Sequence, residues 1–376
     1  MSTAANRPAH APADTEIDAD IDIDTDDEPA DSAAPAIPAD HGFSMPAEWL
    51  PHERTWMAWP TEGYTLGDEP EEAFRSWSKV ANTIARHEPV TMVVDPAAAR
   101  SARDWLDPAV TLVERPLDDA WMRDIGPTFL TGRQGGLAAV DWVFNGWGAQ
   151  EWAAWGKDAD VAESVADLAG ARLFPSRMVN EGGGIHVDGE GTVLVTETVQ
   201  LDPGRNPGWT RGQVEAELRD FLGARKVIWL PRGLTRDYGQ FGTRGHVDIV
   251  AAFVKPGVVV VHSQPDPAHP DHEVARENAA VLRAATDARG RRLEVVELPA
   301  PTVLEEDGEP VDWSYINHYL ANGLALLCGF DDPRDERAAE IFAKLLPERK
   351  IEFVDARPIF ARGGGIHCIT QQQPRI

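Results

Sequence analysis

The sequence predicts an α/β protein assembled from a repeated unit, and three observations carry that expectation. Apolar runs of strand length alternate with segments patterned at helical spacing, the order expected of α/β folds. The pentapeptide Gly-Gly-Gly-Ile-His occurs twice, at Gly182–His186 and Gly363–His367, 181 residues apart. A glycine-led strand start that recurs in this way points to an internally duplicated module. Finally, 43% of the 376 residues are hydrophobic, enough to bury a sizeable core as one large unit or two domains.

Taken in chain order, residues 1–40 read as a disordered acidic tail, followed by a folded domain over 41–376. Eleven Asp or Glu residues stand in the tail against Arg7 alone, with no aromatic residue. Low hydrophobicity and like charge cannot offset the entropy of ordering. From Met45 the texture changes, and ten of the thirteen tryptophans lie before residue 160. Glu71–His87 places Phe74, Trp77, Val80, Ala81 and Ile84 on one helical face. Helices are also expected at Thr210–Leu222, Asp271–Arg289 and Asp332–Leu346, with Asp271 as a cap and Gly290 as a stop. Strands are expected at Val90–Val94, Thr192–Thr196, Lys226–Leu230, Ile249–Val254, Val258–His262, Leu293–Leu298 and Ile351–Val354.

The formal net charge is −27. A chain with no basic stripe is not expected to bind nucleic acid or an anionic membrane surface, and it weakly favours a cationic small molecule. No apolar run approaches the ~20 residues that span a bilayer, and the N-terminus lacks a secretory pattern. Two cysteines make no disulfide framework, which suits a reducing cytoplasm.

Four segments set charged or nucleophilic residues beside glycines: Trp121-Met-Arg-Asp124, Glu181-Gly-Gly-Gly-Ile-His186-Val-Asp188, Gly245-His246-Val-Asp248 and Gly365-Ile-His367-Cys368. A cysteine, a histidine and several carboxylates suit nucleophilic catalysis, with a thiolate attacking carbon and an imidazole moving the proton. His-x-Asp on a strand would turn both side chains to one face. Against this, a lone histidine is more often a hydrogen-bonded core residue, and Cys328, with apolar neighbours, reads as an inert thiol. A metal centre built from His186, Asp188, His246, Asp248 and His367 is the rival arrangement, but no His-x-x-x-His or Cys-x-x-Cys supports it. No dinucleotide or phosphate loop is present, so no nucleotide cofactor is expected.

Together these segments, with Met45-Pro-Ala-Glu, Thr55-Trp-Met-Ala-Trp-Pro and the closing Cys368-Ile-Thr-Gln-Gln-Gln-Pro, resemble the agmatine deiminases of the guanidine-modifying (pentein) superfamily. The resemblance runs from Met45 to Pro374. It implies a five-bladed, pseudo-symmetric α/β propeller with a central active site, and cofactor-free hydrolysis of agmatine to N-carbamoylputrescine and ammonia, a step of putrescine biosynthesis. By the same resemblance Cys368 is the nucleophile, His246 the proton carrier, and Asp124 and Asp248 the grip on the guanidinium. Glu181 orients His246 or shares in binding, and Trp121 packs on the substrate. A homo-oligomer is compatible with the resemblance. Three departures stand out: Ile125, Ile249 and Arg244, the last two residues before His246. Arg244 either idles at the surface or favours a substrate with a carboxylate at its far end. The alternatives are therefore a deiminase of free or peptidyl arginine, an amidinotransferase on the same fold, a metal hydrolase and a non-catalytic guanidine-binding module.

Overall fold

The structure is a computed structural model and describes residues 36–306 and 308–376. Its backbone repeats one pattern five times: an antiparallel hairpin, a crossover helix, and a third strand parallel to the second. The second module pairs Thr128–Gly132 with Leu137–Val143, crosses through helix Val161–Ala169, and adds Arg172–Val179. The third uses His186–Val187, Thr192–Thr196, helix Arg211–Leu222 and Lys226–Leu230. The fourth uses Ala251–Lys255, Val258–Ser263, helix Asp271–Ala284 and Glu294–Pro299. The fifth uses Tyr319–Ala321, Leu324–Gly329, helix Arg334–Leu345 and Lys350–Asp355.

The first module is closed by the end of the chain. His52–Ala58, helix Pro70–Ile84 and Val90–Val94 come from its start, but the strand completing the hairpin is Gln371–Pro374. Ring closure by a C-terminal strand is the five-bladed propeller that the sequence resemblance implied. The first strands of the modules face inward: Gln371–Pro374 lies against Thr128–Gly132, and His186–Val187 against Ala251–Lys255. Apolar side chains fill the layers between strands and helices. Trp77, Val80, Ala81 and Ile84 of the first crossover helix are wholly buried, while Phe74 stacks on Trp59 at 5.2 Å.

The strands at Val90–Val94, Thr192–Thr196 and Lys226–Leu230 have the predicted bounds, and most others shift by a residue. Three expectations are corrected. The helix from Asp271 ends at Ala284, not Arg289, and Gly290 does not stop it. The Asp287 carboxylate instead accepts from the backbone N–H groups of Arg289 and Arg291, building a separate turn. His246 and Asp248 do not lie on a strand: Val247–Ile249 is a 3₁₀ turn, and the strand begins at Ala251. Cys368 stands near the start of a strand, in a turn three residues ahead of Gln371. Finally, the folded part starts before residue 41. Pro38–His41 forms a 3₁₀ turn closed by Gly42 in the left-handed region, with φ 77°, and packs on helix Arg211–Leu222. The rest of the predicted tail, residues 1–35, lies outside the described residues.

Candidate active site

Each of the five inward strands is preceded, within a few residues, by a turn that delivers polar side chains to the axis. Asp124 stands in Met122–Ile125 before Thr128, Glu181 before Gly182–Gly184 and His186, and His246 and Asp248 before Ala251. Asn317 precedes Tyr319, and Cys368 precedes Gln371. Residues up to 244 positions apart in the chain thereby become neighbours.

Glycine makes the approach possible. A Cβ on Gly183 would lie 2.5 Å from His246 Nδ1, 3.0 Å from Asp124 Oδ1 and 3.1 Å from Asp248 Oδ2, so these three groups border one small volume. A Cβ on Gly364 would lie 2.7 Å from the Trp121 ring and 3.0 Å from Cys368 Sγ. All six residues singled out from the sequence are therefore brought together, each 5% exposed or less.

Their charge states follow from their partners. Both oxygens of Asp124 accept from neutral donors, Oδ1 from the Gly183 N–H at 3.0 Å and Oδ2 from the Trp147 indole at 2.9 Å. Burial dominates there and raises its pKa despite the nearby His246. Asp248 is buried too, but the 2.8 Å bond from His367 Nδ1 offsets that cost and lowers its pKa. Glu181 meets Arg205 Nε at 3.0 Å and His246 Nε2 at 3.1 Å. Burial opposes its charge, yet Arg205 and His246 outweigh it and hold the carboxyl at about 2. Burial likewise opposes a charged His246, but Asp124, Glu181 and Asp248 together raise it to about 9. His246 is thus an imidazolium at neutral pH. Its Nδ1 and Asp248 Oδ1 have no hydrogen-bond partner within the protein. A buried donor and a buried acceptor so placed are what a bound polar group would satisfy.

Cys368 Sγ accepts from Asn317 Nδ2 at 3.3 Å and lies 3.7 Å from Asp248 Oδ2. Burial first, then Asp248 and Asp124, push the thiol well above its usual range. Cys328 is the inert thiol expected, buried, pushed up to about 12 by burial and donating to the Asn317 carbonyl at 3.0 Å.

The rival metal set is split up. Asp188 accepts from the N–H groups of Glu190 and Thr192 and shapes a hairpin turn. Among the described residues, Glu48, His186 and His367 lie close enough to share an ion. His367, however, bonds carboxylates through both nitrogens, Asp248 at 2.8 Å and Glu48 at 2.9 Å. Two acceptors require two N–H donors, so His367 is an imidazolium and not a ligand. Arg244 is not idle. It pairs with Asp202 at 3.3 Å and packs against Gly148 and Gly204.

Asn317, Trp147, Arg205 and Glu48 were not found from the sequence. Asn317 had a signal, since Ile316-Asn317-His318 occupies in the fifth module the place of the Ile-His pair in the repeats. Trp147 sits in Asn-Gly-Trp-Gly, where glycines on both sides mark an unusual backbone. Arg205 carries no local signature, since its partner Glu181 stands 24 positions back, and Glu48 meets His367 across 319 positions.

Known proteins are similar to this chain in sequence and fold. The family model for Porphyromonas-type peptidyl-arginine deiminase matches residues 44–374. A Streptomyces avermitilis protein is 67% identical over 344 residues, covering 90% of this chain and 99% of its own. The agmatine deiminase of Medicago truncatula is 39% identical over 370 residues, covering 90% and 98%. The solved structure of Enterococcus faecalis agmatine deiminase superposes with a TM-score of 0.85 at 33% identity, over 90% of this chain and 98% of that one.

Proposed function

The chain belongs to the Porphyromonas-type peptidyl-arginine deiminase family, and on that premise we propose the following reaction and roles. The enzyme acts on a guanidino group, hydrolysing agmatine to N-carbamoylputrescine and ammonia. The relatives named agmatine deiminase support the substrate. The observation that carries the mechanism is the convergence of Cys368, His246 and two aspartates on one buried volume.

A guanidinium is planar, cationic and a poor electrophile, and its N–H fork suits carboxylates. Asp124 and Asp248 hold it, and its charge cancels the field that keeps the Cys368 thiol protonated. As the cation binds, the Cys368 thiol loses its proton to solvent water, and the thiolate sulfur then bonds to the central carbon. His246 gives its Nδ1 proton to a terminal nitrogen, and the C–N bond breaks to release ammonia. The S-alkylthiouronium so formed is attacked by water, whose proton passes to the now neutral His246. The C–S bond breaks and the urea product leaves. Arg205 and Glu181 keep His246 oriented with Nδ1 toward the substrate. Trp121 packs on the guanidinium plane beside the sulfur.

Among the described residues no helix is long and apolar enough to cross a membrane. The same reading makes this a cytoplasmic enzyme of a small guanidino molecule, working as a homo-oligomer, which light scattering would test. The test of function is ammonia release from agmatine and arginine, side by side, by wild type and Cys368→Ala. Release from agmatine that vanishes in the variant is expected. Release from arginine alone would move the substrate class, and activity that requires an added amine would indicate an amidinotransferase.

A further inference from the structure

The catalytic atoms are buried, and a continuous run of aromatic rings leads outward from them. Trp121 lies against Cys368 across Gly364, and Trp147 bonds Asp124; each is 3% exposed. Trp147 stacks on Trp152 with centroids 5.4 Å apart. Trp152 meets Tyr64 and Phe241 edge to face, at 4.8 and 5.2 Å, and those two stack at 4.4 Å. Tyr64, Trp152 and Phe241 are half-buried, so the run grades from the core to solvent. It also stands one residue from the nucleophile's surroundings. A Cβ on Gly363 would lie 3.2 Å from the Tyr64 hydroxyl and 2.5 Å from the Phe241 carbonyl.

The backbone shows that this placement is imposed. Trp147 and Phe241 have φ of 55° and 67°, left-handed values that bulky residues rarely adopt. Strain of this kind persists where surrounding structure and function demand it. Arg244, the cation in the same loop as Phe241, is paired with Asp202 and packed on Gly148.

We propose that Tyr64, Trp152 and Phe241 form the subsite for the far end of the substrate chain, selecting a terminal ammonium over an α-amino acid. This rests on the agmatine reading above. Aromatic faces carry negative potential and attract an ammonium. A carboxylate against the same faces would lose hydration without gaining donors.

The test compares kcat/KM of the full chain on agmatine, n-butylguanidine and arginine, for wild type, Phe241→Leu and Trp152→Leu. n-Butylguanidine keeps the reacting group and chain but has no terminal charge. Wild type is expected to prefer agmatine over n-butylguanidine by about tenfold. In either Leu variant that ratio should collapse toward one, through a rise in the KM for agmatine. An unmoved ratio in active variants, or an equal loss on both substrates, overturns the subsite. A wild type that releases no ammonia from agmatine overturns the agmatine reading itself.

Discussion

The two copies of Gly-Gly-Gly-Ile-His end in histidines whose rings lie 6.1 Å apart and nearly parallel, yet they hold opposite charge states. In the first copy, burial lowers His186 to about 3, and its neutral Nδ1 accepts from the Phe253 N–H. In the second, burial also opposes the charge, but Glu48 and Asp248 raise His367 and hold it as an imidazolium. The glycines, by contrast, behave alike. The middle glycine of each copy lets backbone approach side chains of the candidate site, Gly183 those of His246 and Asp124, Gly364 that of Cys368. Equal sequence thus gives both copies a middle glycine in a close approach, while charge is assigned by groups brought in from elsewhere in the chain.

The residue that follows each copy gives the largest contrast. With Cys368 as the proposed nucleophile, Cys368→Ala should lower ammonia release at least about 10³-fold, because a nucleophile and its partners act as a unit. Its counterpart in the first copy, Val187, should tolerate Ala with turnover within about threefold, since it only packs. Deleting residues 367–376 removes both Cys368 and the strand that closes the first module. That truncation should be inactive and less stable in urea.

The matched glycines come next. Gly183→Ala and Gly364→Ala should each cost roughly 10²-fold in kcat/KM, since a misplacement near 1 Å at the reacting centre suffices for that. Gly290→Ala, at a turn with open space around it but φ 82°, should affect stability alone. A kinetic effect there as large as at Gly183 would break the link between the repeat and the site.

The histidines themselves are the third contrast. His367→Gln should reduce kcat/KM by roughly 10–100-fold, the usual effect of losing a group that orients a binding residue. His186→Gln should leave turnover nearly intact. Similar losses in both would show that the charge difference is without consequence.

The smallest effect is in pH dependence. The folded pKa of His186 lies near 3, below that of the unfolded chain, so its contribution is lost as pH falls from 6.5. His246, raised to about 9, contributes fully below 6.5 and loses its contribution as pH rises through 9. Glu181, lowered to about 2, is lost only below 4.5. Unfolding free energies from urea titrations between pH 5 and 6.5 should therefore fall toward acid by up to on the order of 1 kcal/mol per pH unit, and less steeply in His186→Gln.

Sequence alone determined the alternation of strands and helices and the duplicated glycine turn, because burial periodicity and backbone freedom are local properties of a few adjacent residues. It also supplied Cys368, His246, Asp248, Asp124 and Glu181, each beside a glycine in a short segment dense in charge. Tertiary structure alone decided that Gln371–Pro374 closes the ring, that Asn317 and Trp147 complete the site, and that Arg205 and Glu48 fix its charges. Those side-chain contacts join residues from 23 to 319 positions apart in the chain, and a pKa depends on burial and on charges a few ångströms away in space, neither of which sequence distance encodes.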